Sequence, residues 1–369
     1  MSTACADSLE PFDLRDVPEA ARLYLQPLGL LSGAAAKAAS ADGWAVPLAG
    51  GQACTAAELW WRQGDGIRQS VIPAAGLAAA AWGHAGIARL VERFGAPCSR
   101  PAGLPEQRPL LMGVVNVTPD SFSDGGLFLD RDAAIAHGRR LHAEGADIVD
   151  VGGESTRPRS ATVSDAEEIA RVVPVVEALA RDGILVSIDT RKAAVMRAAV
   201  AAGAGMINDI SALRHDPDSL GVAGDSGLPV VLMHIRGEPA TMQQAPHYAR
   251  AALDVYDHLE TQARAWTEAG FERSRLIVDP GIGFGKALEH NLDILRRLGL
   301  YRGLGLPLLL GASRKSFIAR IAGEVPAPDR LAGSIAAGLT GLAQGVAILR
   351  VHDVTATRQA IMVAQALAL

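Results

Sequence analysis

Residues 109–154 read PLLMGVVNVTPDSFSDGGLFLDRDAAIAHGRRLHAEGADIVDVGGE, and the order of segments in this stretch decides the fold. A short apolar run, LLMGVVNV (110–117), passes through a loop of Asn, Asp, Ser and Gly into an amphipathic run of helical length over 132–144. A second short apolar run, IVDVGG (148–153), follows. Short apolar runs alternating with helix-length segments are the pattern of parallel βα units. The unit recurs downstream in ILVSID (184–189), MINDI (206–210), PVVLMH (229–234), LIVDP (276–280), PLLLGAS (307–313) and VAILRVH (346–352), eight strand-like runs in all. Helices are expected between them over 165–180, 192–202, 249–269 and 329–344, and 354–367 supplies one after the last strand.

Each run ends on a polar side chain: Asn116, Glu154 just beyond its strand, Asp189, Asn208, His234, Asp279, Ser313 and His352. In a TIM barrel the catalytic and binding groups sit at the C-terminal strand ends, so eight such ends meeting at one mouth predict a (β/α)8 barrel of the α/β class. The alternation alone also permits an open doubly wound sheet.

A chain of 369 residues holds one barrel and something smaller. Residues 1–95 carry four of the five tryptophans (Trp44, Trp60, Trp61, Trp82) and no catalytic motif; strand-like 21–25 and 44–48 and helix-like 55–62 predict a small mixed α/β unit. Four prolines between 95 and 109 make 96–108 a linker and leave 109–369 for the barrel. A net charge of -5 argues against a nucleic-acid surface. The three cysteines (Cys5, Cys54, Cys98) have no metal-ligand spacing, and an acidic N-terminus without a basic-then-apolar leader predicts a cytoplasmic protein. The charge-free stretch 332–349 contains Ser334, Thr340, Gln344 and four glycines, so it reads as a buried helix running into a buried strand rather than a membrane span.

The strand-end loops carry the chemistry. In GVVNVTPDSFSDGG (113–126), Asn116 can offer its amide oxygen to a hard cation, and Asp120 and Asp124 can meet developing positive charge, although the same residues also favour a solvated turn. GGESTRPRS (152–160) sets Arg157 and Arg159 on a Pro-restrained loop, suited to phosphate or to plain surface ion pairs. Asp189, Asn208 and Asp279 form a set of acceptors in apolar walls, which implies either a ligand with matching N–H groups or an internal network with Lys315 and Arg350. DPGIGFGK (279–286) has Pro280 and Ala287 where a phosphate-binding P-loop needs Gly and Ser or Thr. GASRKS (311–316) puts Ser313 near a helix start and Lys315 near the mouth, favouring an anion such as a carboxylate; RVHDV (350–354) ends on a stacking cation and an imidazole. His234 and His352 lack a third ligand at zinc spacing.

Taken in order, NVTPDSFSDGG, GADIVDVGGESTRP, SIDT, INDI, LMH with the downstream TMQ, DPGIGFGK, SRKS and RVHDV resemble the motif set of the dihydropteroate synthases over residues 109–369. The resemblance implies condensation of a pterin diphosphate with p-aminobenzoate, releasing pyrophosphate by an SN1-like route with Mg2+ as cofactor, in a homodimer. It implies pterin contacts at Asp189, Asn208, Met233, Asp279, Lys315 and Arg350. Diphosphate contacts fall at Asn116, Arg157, Arg350 and His352, with magnesium at Asn116. The p-aminobenzoate would lie against Phe122, Thr156, Pro158, Phe284 and Ser313. Asp124, Arg157, Lys315, Arg350 and His352 carry the catalytic roles, Asp124 steadying a pterin-methyl cation. The chain departs from the family at Ile282, where Phe is usual, and at Arg159 and Ser160, which bear on loop closure and sulfonamide sensitivity. A pterin-binding methyltransferase that passes a methyl group from methyltetrahydrofolate to a corrinoid would share the acceptors without needing NVTPDSF, STRP, SRK and RVHD. An inactive homologue serving as a partner subunit would have damaged loops.

Overall fold

The structure, a computed structural model, describes residues 12–64, 66–96, 100, 104–105, 108–117, 127–155, 163–239 and 241–367, with backbone alone for 127–130. Two compact units emerge. One is built from the described residues up to 96 with Arg297–Gly305 and the chain end from Gln365; the other takes the described residues from 100 to Arg296 and Leu306–Ala364.

The smaller unit runs β1 (Leu23–Ser32), α1 (Gly33–Ala41), β2 (Val46–Leu48), β3 (Gln52–Gln63), β4 (Gly66–Pro73), α2 (Ala74–Gly83) and α3 (Ala85–Gly95). Its sheet is antiparallel, with β3 paired to β1 on one side and to β2 and β4 on the other. The mixed α/β character matches expectation, but the helix expected over 55–62 lies inside β3. Its Ala, Glu and Leu are good helix formers, yet pairing on both edges wins: Leu25 faces Leu59, and Leu59, Trp61, Ile72, Leu77, Ile87 and Phe94 share one core. Of the four tryptophans in this unit, Trp60 and Trp61 are buried and the Arg297 guanidinium lies 4.9 Å from a Trp60 ring centroid, whereas Trp44 and Trp82 are 74% and 94% exposed.

The larger unit alternates strand and helix: β5 (Leu110–Asn116), α4 (Leu127–Ala143), β6 (Ile148–Gly152), α5 (Asp165–Arg181), β7 (Val186–Asp189), α6 (Ala193–Ala201), β8 (Met206–Asp209), α7 (Ser219–Ser226), β9 (Val230–Met233), α8 (Ala251–Glu268), β10 (Leu276–Asp279) and α9 (Leu288–Arg296), then β11 (Leu309–Leu310), α10 (Ser316–Ala322), α11 (Leu331–Ala343), β12 (Ile348–Val351) and α12 (Val354–Leu367). All eight strand-like runs form strands, in the parallel order β10-β9-β8-β7-β6-β5-β12-β11. A bridge between Val278 and Leu308, with the Val278 amide donating to the Pro307 carbonyl at 2.9 Å, joins the two ends. This junction excludes the open doubly wound sheet and makes a TIM-type barrel.

Strand side chains alternate in and out, so one interior layer predicts the next. Leu110, Met112, Ile148, Met206, Val231, Ile277, Leu309 and Ile348 form an apolar plug. Two residues further along five of these strands stand Asp150, Asn208, Met233, Asp279 and Arg350. Met233 apart, the interior thus changes from hydrocarbon to polar groups in one step toward the mouth. The stretch 332–349 is helix then strand as expected, but α11 is not buried: only Gly338 and Gly341 are, because its other face turns outward. No described helix is long and apolar enough to cross a membrane.

Candidate active site at the barrel mouth

Arg350 on β12 lies at the centre of the polar layer. Its Nε donates to Asp150 Oδ2 at 2.6 Å and its Nη2 to Asp189 Oδ2 at 2.7 Å, while Asn208 Nδ2 donates to the same Asp150 oxygen at 3.2 Å. Asp150 is fully buried, and the Asp189 side chain keeps 16% exposure toward the mouth. Burial pushes the Asp189 carboxyl up to about 7 against the pull of Arg350, with Asp150 adding repulsion. Burial likewise raises Asp279, whose Oδ1 accepts from the Gly281 amide at 2.7 Å. The Lys315 ammonium is pushed down to about 8 by burial, with Asp279 pulling it back up. Among these groups the sequence reading missed Asp150, although an Asp in the middle of an all-apolar parallel strand is itself a signal of an interior polar role.

An apolar wall adjoins this floor. Met233 packs with Ile210, Ile235 and Met242, and Phe284 leans on the cluster. Lys315 Nζ donates to the Ile282 carbonyl and lies 4.4 Å from the Phe284 ring centroid, so Ile282 and Phe284 together form its seat. Ile282 is fully buried, keeping the wall apolar despite the lost aromatic ring. The loop turns this tightly because Gly281 and Gly285 adopt φ of +66° and +62°, and a Cβ on either would collide with the carbonyl oxygen of His234 or Arg236. Beyond the wall, Ile210 and Ile235 also line a cleft of about 290 Å3 with Arg191, Ser211, Arg214, His215 and Glu238.

The opposite rim is made by the ends of β11 and β12. Ser313 Oγ lies 3.0 Å from His352 Nδ1 and accepts from the His352 amide at 3.3 Å, so serine and histidine form one unit. Next to them Arg314, at φ +59°, makes a two-pronged bond to Asp353 (3.0 and 2.5 Å) that ties the two loops together. Asn116 ends β5, half-buried and paired in register with Gly152.

Not every strand-end group serves the mouth. Glu154 accepts from the Val163 amide at 3.2 Å and lies 3.6 Å from Lys192 and from Arg191, so it joins a structural network with the buried Glu168. His234 contacts Lys286 Nζ through Nδ1 at 2.9 Å and belongs to the interior. Among the described residues no group of three His, Cys, Asp or Glu side chains is placed to hold a metal. Asp120, Phe122, Asp124, Thr156, Arg157, Pro158, Arg159 and Ser160 lie outside the described residues.

Comparison with known proteins agrees with this geometry. The family described as "Pterin binding enzyme" matches residues 112–352. The chain is 46% identical over 259 residues to the dihydropteroate synthase of Escherichia coli (strain K12), covering 70% of this chain and 91% of that protein. Among solved structures, Xanthomonas albilineans dihydropteroate synthase with 4-aminobenzoic acid superposes with a TM-score of 0.67 at 49% identity, covering 70% of this chain and 93% of that one. The same enzyme in complex with 7,8-dihydropteroate gives 0.65 at 46% identity over 72% and 95%. The Yersinia pestis enzyme with a sulfonamide drug complex gives 0.69 at 44% identity over 72% and 98%.

Proposed function

Since the chain belongs to the dihydropteroate synthase family of pterin-binding enzymes, we infer that it transfers a pterinylmethyl group from a pterin diphosphate to p-aminobenzoate, forming dihydropteroate and releasing pyrophosphate. The observation that carries this reading is the floor of the barrel: Asp150, Asp189, Asn208 and Asp279 around Arg350, closed below by hydrocarbon. A flat 2-amino-4-oxo ring presents N–H donors and a carbonyl on adjacent edges. Asp189, Asn208 and Asp279 match the donors, and Lys315 suits the carbonyl. Two carboxylates hold the Arg350 guanidinium by its edge, leaving its faces for stacking on the ring, while Met233 supports the apolar side.

The remaining roles follow the resemblance. Arg157, Arg350 and His352 take the diphosphate, with Ser313 orienting the imidazole. The p-aminobenzoate lies against Phe122, Thr156, Pro158, Phe284 and Ser313. No protein nucleophile takes part: pyrophosphate leaves first, the cationic groups offset its charge, Asp124 steadies the pterin-methyl cation, and the aniline nitrogen attacks it and then gives up a proton, which the departing pyrophosphate can accept. Asn116 fits magnesium only as one oxygen donor of an ion otherwise held by water and phosphate oxygens, a habit of this cation, so the metal would arrive with the diphosphate and screen the leaving group. Residues 109–369, less Arg297–Gly305 and the chain end from Gln365 that group with the extension 1–95, form the catalytic domain, 96–108 link the two, and the protein works in the cytoplasm. The homodimer is likewise taken from the resemblance.

The test is a coupled pyrophosphate-release assay with the pterin diphosphate, run with and without p-aminobenzoate and magnesium. Release that depends on both supports the reading. Release indifferent to p-aminobenzoate overturns it, and full turnover in excess chelator removes the metal.

A further inference from the structure

Within DPGIGFGK, the roles assigned above use Asp279 and Phe284 and leave Lys286 idle. That lysine is 3% exposed. Its Nζ donates to the carbonyls of Gly281 at 2.8 Å, Phe284 at 3.0 Å and His234 at 3.3 Å, and lies 2.9 Å from His234 Nδ1. An ammonium has three donors, and here every one is spent on backbone or imidazole. Burial holds it well below its ordinary value, with Asp279 pulling the other way. Such a buried cation is costly, and a loop needing only a clamp could use a neutral donor. Its acceptors sit on the two segments that face the proposed pterin pocket. The 280–286 loop supplies the Ile282 carbonyl and Phe284 ring that seat Lys315, and the Gly281 amide that holds Asp279. The 233–235 segment supplies Met233 and Ile235.

We propose that Lys286 is a positioning residue for the transfer reaction, a buried ammonium that pins the 280–286 loop against His234 and so places Asp279, Phe284 and Lys315 on the pterin. The proposal rests on the function inferred above, and wild-type turnover in the same assay checks that inference separately. Lys286→Met, near in shape but without donors, should keep its circular dichroism spectrum and its p-aminobenzoate KM within about two-fold while losing at least about ten-fold in kcat/KM for the pterin diphosphate, the scale of buried acceptors left unpaired. Lys286→Ala should lose as much and regain part of it with added n-propylammonium but not n-propanol. An active wild type with a Met variant whose pterin constants are unchanged overturns the proposal. So do variants whose losses fall equally on both substrates, variants that do not fold, or an Ala variant the amine does not rescue, since each leaves Lys286 a fold residue.

Discussion

Asp189→Asn separates a ligand acceptor from a structural carboxylate. Burial pushes the Asp189 carboxyl up to about 7, and one oxygen is already committed to Arg350 at 2.7 Å. A ligand donating N–H bonds needs the ionised form, so affinity should climb as pH rises to about 7 and level off above it. At about pH 5, two units lower, one carboxylate costs about 100-fold in affinity, or about 2.7 kcal/mol at about 1.36 kcal/mol per unit. Stability carries the opposite slope. A carboxyl raised above its unfolded value of 3.8 stabilises the fold fully at low pH, and that share is lost as pH rises through about 7. The asparagine keeps the size, removes the titration and turns an amide toward Arg350 donors, so its affinity should fall by about 1 to 3 kcal/mol at neutral pH and lose the slope. Calorimetric titration of 6-hydroxymethylpterin at several pH values, with denaturant unfolding alongside, measures both. A wild type equally tight at low and neutral pH, or a variant keeping the wild-type slope, refutes the assignment.

Asp150→Leu removes one of the two carboxylates on Arg350 and should destabilise the barrel by about 2 to 4 kcal/mol in denaturant unfolding, below the full cost of stranding a buried charge because Asp189 stays. Adding Arg350→Met should recover part of that loss, and an additive double variant would contradict the pairing. Gly281→Ala must hold φ at +66° and crowd the His234 carbonyl, so unfolding should show a loss of at least about 2 kcal/mol; a change below about 0.5 kcal/mol would mean the loop sits elsewhere. A chain starting near Gly103 should retain specific activity in whatever fraction stays soluble, but aggregate, because Arg297–Gly305 loses the residues it is folded with. A monodisperse truncation by light scattering would contradict this.

The barrel was legible because its signal is repetition: eight short runs, each with a polar terminus, leave few architectures. The site was legible where a polar residue ended a strand, as at Asp189, Asn208 and Asp279. Position alone could not separate Glu154, which turns into a lysine network, from those that face the mouth, since it lies two residues past the end of its strand, where alternation no longer fixes direction. Asp150 was hidden by its place inside a strand, and Lys286 by a glycine motif that invited comparison with phosphate loops. Over 55–62 local propensity pointed to a helix, and only pairing with β1, roughly 30 residues upstream, and with β4 just downstream made it a strand.

The smaller unit is completed by Arg297–Gly305, with Arg93 donating to the Gly303 carbonyl at 2.7 Å and Arg302 bonded to Gln52. On a ribosome adding roughly 5 to 20 residues per second, the stretch of about 200 residues between these halves takes on the order of 10 to 40 seconds to appear. For that interval the N-terminal sheet waits without the guanidinium that covers Trp60. A sheet translated ahead of the barrel is therefore finished only after most of the barrel sequence, and chaperone demand during synthesis should be set by the length of that intervening sequence rather than by the extension itself.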